Sequence, residues 1–251
     1  MPKIIILNQA TSDPRWQNID QLGQNTWGKI THPDIKMFHY YGAFDMHHNP
    51  YDRFSNIPDR GKISILPNNI MVCGINDCLG EYFDPRGERY IMALEYCLNN
   101  FEFDYIYRTT CTSYIDIYKM YDYFNKLGIK EKFYEGTRNM WNYQYLFITG
   151  YHQILSRDVV KVIIEHKNEY LKLKLPEDVA VGALIIDILK YTSFENNPPH
   201  NTSISPLNNN DFNLKYYLNT PIFNYRLDPS LGEQLLEIHN YLEDHRKLNA
   251  I

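Results

Sequence analysis

Apolar and polar positions alternate between two periods along most of this chain. Lys3–Leu7 is a short β-branched run of the kind a buried strand uses. Pro14 can open a helix, and Trp16, Ile19 and Leu22 then recur at helical spacing. Ile35–Tyr40 reads as a second strand, with short strands at Lys62–Leu66 and Ile70–Val72. Gly87–Asn100 carries Tyr90, Ile91, Leu94 and Leu98 on one helical face, and Phe103–Tyr107 is the next strand. Ile117, Met120, Tyr121, Phe124 and Leu127 define a further helix, which Gly128 stops. Tyr143–Thr149 reads as a strand. Ser156 reads as the N-cap of a helix to about Tyr170. Pro176-Glu177-Asp178 opens another helix to about Lys190, and Pro229–Lys247 is the last.

This alternation predicts an α/β sheet with helices on its faces. Two segments lack periodicity. Asp45–Arg60, with prolines and the adjacent pair His47 and His48, is expected to be a loop. Phe194–Asp211, rich in Asn, Pro and Ser, reads as a long surface loop of the kind that often serves binding. No internal repeat or low-complexity tract is present.

Composition adds constraints. The 251 residues are 44% hydrophobic and 22% charged, enough for a packed core and unlike a disordered chain. A net charge of −5 gives no basic field for nucleic acid or an anionic membrane. The opening apolar run is too short for a signal peptide or an anchor, so no integral membrane segment is expected. Cys73, Cys78, Cys97 and Cys111 form no CxxC pair, so they suggest reduced thiols in a cytoplasmic protein and not a zinc site. The Asn201-Thr202-Ser203 sequon has no meaning outside a secretory pathway. The 22 tyrosines fit either an AT-rich codon bias or a sugar groove, since a tyrosine offers both a ring face and a hydroxyl.

Three places could carry chemistry. Glu177-Asp178 opens a helix, where the dipole favours ionised carboxylates, and a carboxylate is the group that takes a proton from an attacking hydroxyl. The same tripeptide is also simply a good helix start. Arg108 ends a strand, where α/β sheets place ligands, and its planar fork suits a diphosphate. Arg226 raises the same possibility, and for both arginines the alternative is a salt bridge. Adjacent histidines such as His47 and His48 rarely reach one metal, so no metal site is assigned there. There is no Walker loop, GxGxxG, GxSxG or kinase signature.

The order of these motifs resembles the beta-1,3-galactosyltransferase and Fringe class of glycosyltransferases. Arg15-Trp16-Gln17-Asn18-Ile19 followed by Asn25-Thr26-Trp27-Gly28 is similar to that family's start. Gly87–Asn100 and Phe103–Arg108 resemble the helix and strand that lead to its metal motif. Thr149–Ser156 resembles the family's Ser-Gly-x-Gly-Tyr-x-Leu-Ser stretch, and Pro176–Gly182 its Glu-Asp-Val-x-x-Gly signature.

The resemblance implies a GT-A-type, Rossmann-like mixed sheet flanked by helices in one domain. About 1–112 would form the half that binds the nucleotide sugar. About 113–251 would form the acceptor half, with a C-terminal closing segment. It implies inverting transfer of a sugar from a nucleotide-diphosphate donor, expected to be uridine-linked, to a glycan hydroxyl. Asp178 falls on the family's catalytic base. Arg108 and Arg226 would hold the diphosphate, and Arg15, Thr110 and Thr112 the nucleotide. Gly150, Tyr151, His152 and Glu177 would face the acceptor.

One departure stands out. The family's Asp-Asp-Asp metal motif falls on Thr110-Cys111-Thr112, which cannot hold a hard cation. The expectation is therefore no cofactor and metal-independent transfer, with manganese left open. The alternative is a catalytically inactive glycan-binding or scaffolding protein on the same fold. A cytoplasmic enzyme of a bacterium, or of the host cytoplasm if the source is viral, would suit the absence of an anchor.

Overall fold

Strand β1, Ile4–Gln9, is buried on both faces, which is why it reads as one continuous apolar run and not as an alternation. Its odd residues Ile5 and Leu7 enter one core, and its even residues Ile4 and Ile6 enter the core on the opposite face. The structure is a computed structural model and describes residues 1–11, 14–44, 59–76, 85–194, 202–207, 220–227 and 232–249.

Around β1 the chain builds a seven-stranded sheet. Its members are β2 (Ile35–Phe44), β3 (Ile63–Leu66), β4 (Ile70–Asn76), β5 (Tyr105–Thr110), β7 (Tyr134–Trp141) and β8 (Tyr145–Ser156). The order is β3-β4-β2-β1-β5-β8-β7. The central strands β4, β2, β1 and β5 are parallel, and β3 at one edge and β8 and β7 at the other are antiparallel to their neighbours. The mixed α/β architecture expected from the sequence is therefore present.

Helices cover both faces. Helix α2 (Pro85–Asn100), α4 (Arg157–Glu165), α5 (Lys167–Lys172) and α6 (Glu177–Gly182) pack on the face that carries Ile5 and Leu7. Helix α1 (Pro14–Asn25), α3 (Ile117–Leu127) and α7 (Gly232–Asn249) cover the other. Asp116 caps α3 by accepting from the Lys119 backbone N–H at 3.2 Å, and Gly128 ends it with a positive φ of 68°. Arg246 of α7 reaches back to Asp116 at 2.5 Å, so the last helix is tied to the start of α3.

The structure differs from the sequence reading at several elements. The expected helix from Ser156 to Tyr170 breaks at His166 into α4 and α5, and the Ser156 hydroxyl bonds to Asp158 and the Phe133 backbone instead of capping. Helix α6 ends at Gly182, and Ala183–Ile188 continues as a wider π-turn. Strand β7 is unforeseen, because its polar residues hide its period. A small second sheet, also unforeseen, orders as β6-β10-β9: β6 (Ser113–Ile115), β10 (Asn224–Leu227) and β9 (Ser203–Leu207). Strand β9 lies inside the segment read as a long loop. His47, His48, Cys78 and Asn201 lie outside the described residues.

Two histidines are buried in the core without charge. His39 on β2 receives the Asn8 side-chain amide on Nδ1 at 2.9 Å, and burial lowers its pKa to about 4. His152 on β8 is held between the Tyr107 hydroxyl at Nδ1, 3.0 Å, and the Thr202 hydroxyl at Nε2, 2.8 Å. Burial lowers its pKa to about 3. Both folded values lie below the ordinary 6.5, so the unfolded chain binds these protons first. The associated stability is complete above pH 6.5 and drains away as pH falls toward 4 and 3. At pH 5 each histidine should cost about 2 kcal/mol, or about 4 kcal/mol together. Urea unfolding at pH 7 and pH 5 measures this, and His152→Gln should shrink the difference by about half. An equal loss in that variant would mean that His152 does not titrate on unfolding.

Candidate functional site

The strand order reverses at β1. Helix α1 leads the chain from β1 to β2 on one side, and α2 leads it from β4 to β5 on the other. Such a switch point opens a crevice at the carboxyl ends of the strands. A cleft of about 300 Å³ lies there. Gln9 from the end of β1, Arg108 and Thr110 from β5, and Thr149, Gly150 and Tyr151 from β8 form its floor. Glu177, Asp178 and Val179 from α6, Arg226 from β10, and Asn139, Trp141 and Phe147 from the β7–β8 hairpin form its walls.

Arg108 organises the floor. It is 1% exposed and forms an ion pair with Glu177 through Nη2. The same nitrogen donates to Gln9 Oε1, and Nε donates to the Tyr40 hydroxyl at 3.1 Å. The guanidinium lies over the Tyr90 ring, 4.8 Å from its centre. Burial opposes the Arg108 charge, but Glu177 and the surrounding oxygens outweigh it and hold the pKa well above the ordinary value. Beside this cation, burial still pushes the Tyr40 hydroxyl up to about 12. Two buried polar atoms of cleft residues, Arg108 Nη1 and Thr149 Oγ1, have no hydrogen-bond partner among the described residues.

Two glycines make this packing possible. A Cβ on Gly150 would stand 1.5 Å from Arg108 Nη1, so any side chain there would expel the guanidinium. A Cβ on Gly182 would stand 2.4 Å from the Leu146 carbonyl oxygen, so the glycine lets α6 lie directly on β8. The spacing from Glu177 to Gly182 thus has a packing reason as well as a chemical one.

Asp178 is the carboxylate that points to chemistry. Its Oδ2 accepts from the Gly150 backbone N–H at 2.9 Å, and its Oδ1 accepts from the Val179 N–H at 3.0 Å. These donors fix the plane of the carboxylate and leave each oxygen a lone pair. Arg226 stands over the Tyr151 ring, 4.2 Å from its centre, and has no carboxylate partner among the described residues.

The structure therefore gathers seven of the expected site residues in one cleft: Arg108, Thr110, Gly150, Tyr151, Glu177, Asp178 and Arg226. Three others are placed differently. His152 is fully buried behind the floor with both ring nitrogens occupied. Thr112 is buried beside the cleft and shares a 2.9 Å hydroxyl contact with Thr110. The Arg15 side chain lies outside the described residues. The residues at the expected metal position do not fit a hard cation: two threonine hydroxyls bond each other, and the Cys111 thiol is buried.

Sequence reasoning missed several residues. Gln9 carried a usable signal, a polar side chain at the end of an otherwise apolar central strand. Asn139 and Trp141 belong to β7, which the sequence did not disclose, whereas Phe147 lies in the strand read at Tyr143–Thr149. Asn224 is fully buried and donates to the Tyr151 carbonyl at 2.7 Å and to the Tyr107 hydroxyl, fixing β10 and with it Arg226.

A buried ion pair is most sensitive to the loss of one partner. Glu177→Ala should destabilise the chain by roughly 3–5 kcal/mol in urea unfolding, because Arg108 stays buried and unpaired. Replacing both partners by methionine should recover most of that loss. A cost below about 1 kcal/mol for Glu177→Ala would place the pair in solvent-like surroundings. In comparison with known proteins, no family model matches the chain, and no curated protein matches it.

Proposed function

We propose that this chain is an inverting glycosyltransferase that moves a sugar from a nucleotide-diphosphate donor, uridine-linked in the first instance, to the hydroxyl of a glycan. The observation that carries the reading is the meeting of Asp178 and Arg226 in one cleft at the strand switch point, with Gly150-Tyr151 between them. These come from the segments in which the sequence resembles that class of enzyme. Supporting it further, the cleft mixes rings with amides and hydroxyls, which suits an oxygen-rich ligand. The unpartnered Arg108 Nη1 and Thr149 Oγ1 offer hydrogen bonds to such a ligand.

In this reading Asp178 removes the proton from the acceptor hydroxyl as its oxygen bonds to the anomeric carbon. The bond from that carbon to the diphosphate oxygen breaks on the opposite face, inverting the centre. The diphosphate leaves with the electron pair, and Arg226 balances its charge. Arg108 has its charge committed to Glu177, so the larger share of the anion falls to Arg226. Glu177 holds Arg108, and Tyr151 supports Arg226 and faces the acceptor. The donor set at Thr110–Thr112 leads to a reaction without manganese.

A cytoplasmic setting suits the buried thiols Cys73, Cys97 and Cys111. No helix among the described residues is long and apolar enough to cross a membrane. The second reading, glycan binding without transfer, is favoured by one observation: Arg108, the cation of the cleft floor, is already neutralised.

Nucleoside diphosphate release from a panel of nucleotide sugars tests the reaction. Asp178→Asn should slow transfer about 100- to 10,000-fold while donor affinity stays near the native value. Arg226→Ala should raise the barrier by roughly 3 kcal/mol, and a chelator should leave the native rate unchanged. Native turnover by Asp178→Asn would reduce Asp178 to a helix-start residue. Donor-independent glycan binding with no release from any donor would establish the second reading.

A further inference from the structure

The hairpin of β7 and β8 has one face that leads out of the cleft. Asn139, Trp141, Phe147, Thr149 and Tyr151 all line the cleft, and Asn139 pairs opposite Phe147 in the outer part of the hairpin, beyond the register shift at Gly136–Arg138, so the odd-numbered residues there share that face. Tyr145 pairs directly opposite Trp141 and lies on the same side. Rings at Tyr151, Phe147, Tyr145 and Trp141 therefore form a row from the floor toward the hairpin tip. Exposure rises along it, from buried Tyr151 and Phe147 to Trp141 at 39% and Tyr143 at 98%.

Three features of this row point to a ligand. First, Asn142 and Tyr143 at the turn both have positive φ, 48° and 56°. A tyrosine in that region is an outlier, and here it displays a fully exposed ring. Second, from Asn139 to Ser156 there is no Asp, Glu, Lys or Arg. The rings at Trp141, Tyr143 and Tyr145 alternate with the amides of Asn142 and Gln144. A membrane surface would favour lysine and arginine at such a tip, and this stretch has neither. Ring faces stack on the C–H faces of sugars, and amides bond their hydroxyls. Third, the row is continuous with the cleft, so its occupant must end in a group small enough to enter about 300 Å³.

We infer that the β7–β8 hairpin is an outer subsite for a neutral oligosaccharide, which lies along Phe147, Tyr145, Trp141 and Tyr143 with its terminal unit in the cleft. This inference rests on the proposed transfer reaction for its direction, because the terminal unit is the one brought to Asp178. It assigns the chain an extended acceptor in place of a free monosaccharide. Rigid aromatic side chains supply contact area at low entropic cost, so each ring engaged should add affinity.

The test is binding of the full chain, without donor, to ladders of glucose, galactose and N-acetylglucosamine oligosaccharides from the monosaccharide to the hexasaccharide. In one ladder the Kd should fall at least about tenfold from the monosaccharide to the tetrasaccharide. Trp141→Ala and Tyr143→Ala should flatten this dependence, and Tyr143→Phe should keep it. Met140→Ala, on the opposite face of the hairpin, should leave it unchanged. The inference falls if no ladder binds, if both alanine variants keep the length dependence, or if sedimentation shows a dimer that Tyr143→Ala dissociates. Because no donor is present, the two readings separate. Ring-dependent oligosaccharide binding without any transfer would keep the subsite and remove the reaction. Transfer to long acceptors at the native rate by Tyr143→Ala would do the reverse.

Discussion

The site depends on one buried charge. Arg108 stands two residues before the end of β5, inside the core, where an unpaired guanidinium would be very costly. Its carboxylate partner comes from Glu177, 69 residues further along the chain. That pairing requires α6 to start directly over the carboxyl ends of β1 and β5. Once Glu177 turns inward to Arg108, the next residue must face a different way, and Asp178 meets the Gly150 N–H. Gly150 and Gly182 are the steric side of the same constraint: the first makes room for the guanidinium, and the second lets the helix approach β8. A buried pair of this kind is weak as a source of net stability. Its value here is positional, because it decides where the catalytic candidate stands.

The small sheet depends on a second, uncharged network. Tyr107, Thr109, His152, Thr202 and Asn224 come from four separate strands or loops and bond one another in the core. Strand β10 is thereby pinned to β5 and β8 through Asn224, and Arg226 follows two residues later on the same strand. Replacing any member with an apolar group would leave a neighbour unsatisfied, which makes such networks specific about geometry.

The elements legible in the sequence were those with their own local signal. The runs at β1 and β5, the helical faces of α2 and α3, and the Pro-Glu-Asp start of α6 each state their identity within a few residues. The strands that were not legible derive their identity from partners. Strands β6, β9 and β10 are too short to show a period, and they are strands only because they lie beside one another. Strand β7 places Arg138, Asn139 and Trp141 where a loop would read equally well, and its pairing with β8 makes it a strand. At the site, the residue types and their order could be read, but which charges cancel could not. Nothing in the sequence tells Arg108, committed to Glu177, from Arg226, which has no acidic partner among the described residues. His152 shows the same limit. A histidine two residues after Gly150 in that stretch suggests a ligand contact, yet strand alternation turns it away from the cleft that Tyr151 lines.

Charge pairing also explains why two adjacent residues, Gly150 and Tyr151, carry so much of the site. The cleft holds two cations and two carboxylates, and Arg108 with Glu177 removes one of each from play. What remains is Asp178 and Arg226, and each is held through this dipeptide. The Gly150 N–H orients the carboxylate, and the Tyr151 ring carries the guanidinium. The dipeptide is itself fixed, since the Tyr151 carbonyl accepts from Thr109 at 3.0 Å and from Asn224 at 2.7 Å. Asp178 and Arg226 thus both rest against one short segment of β8. In the proposed transfer, a carboxylate and a guanidinium held against one strand would reorganise little as charge moves from the acceptor oxygen toward the leaving group. A site that must stabilise shifting charge gains most from that kind of preorganisation.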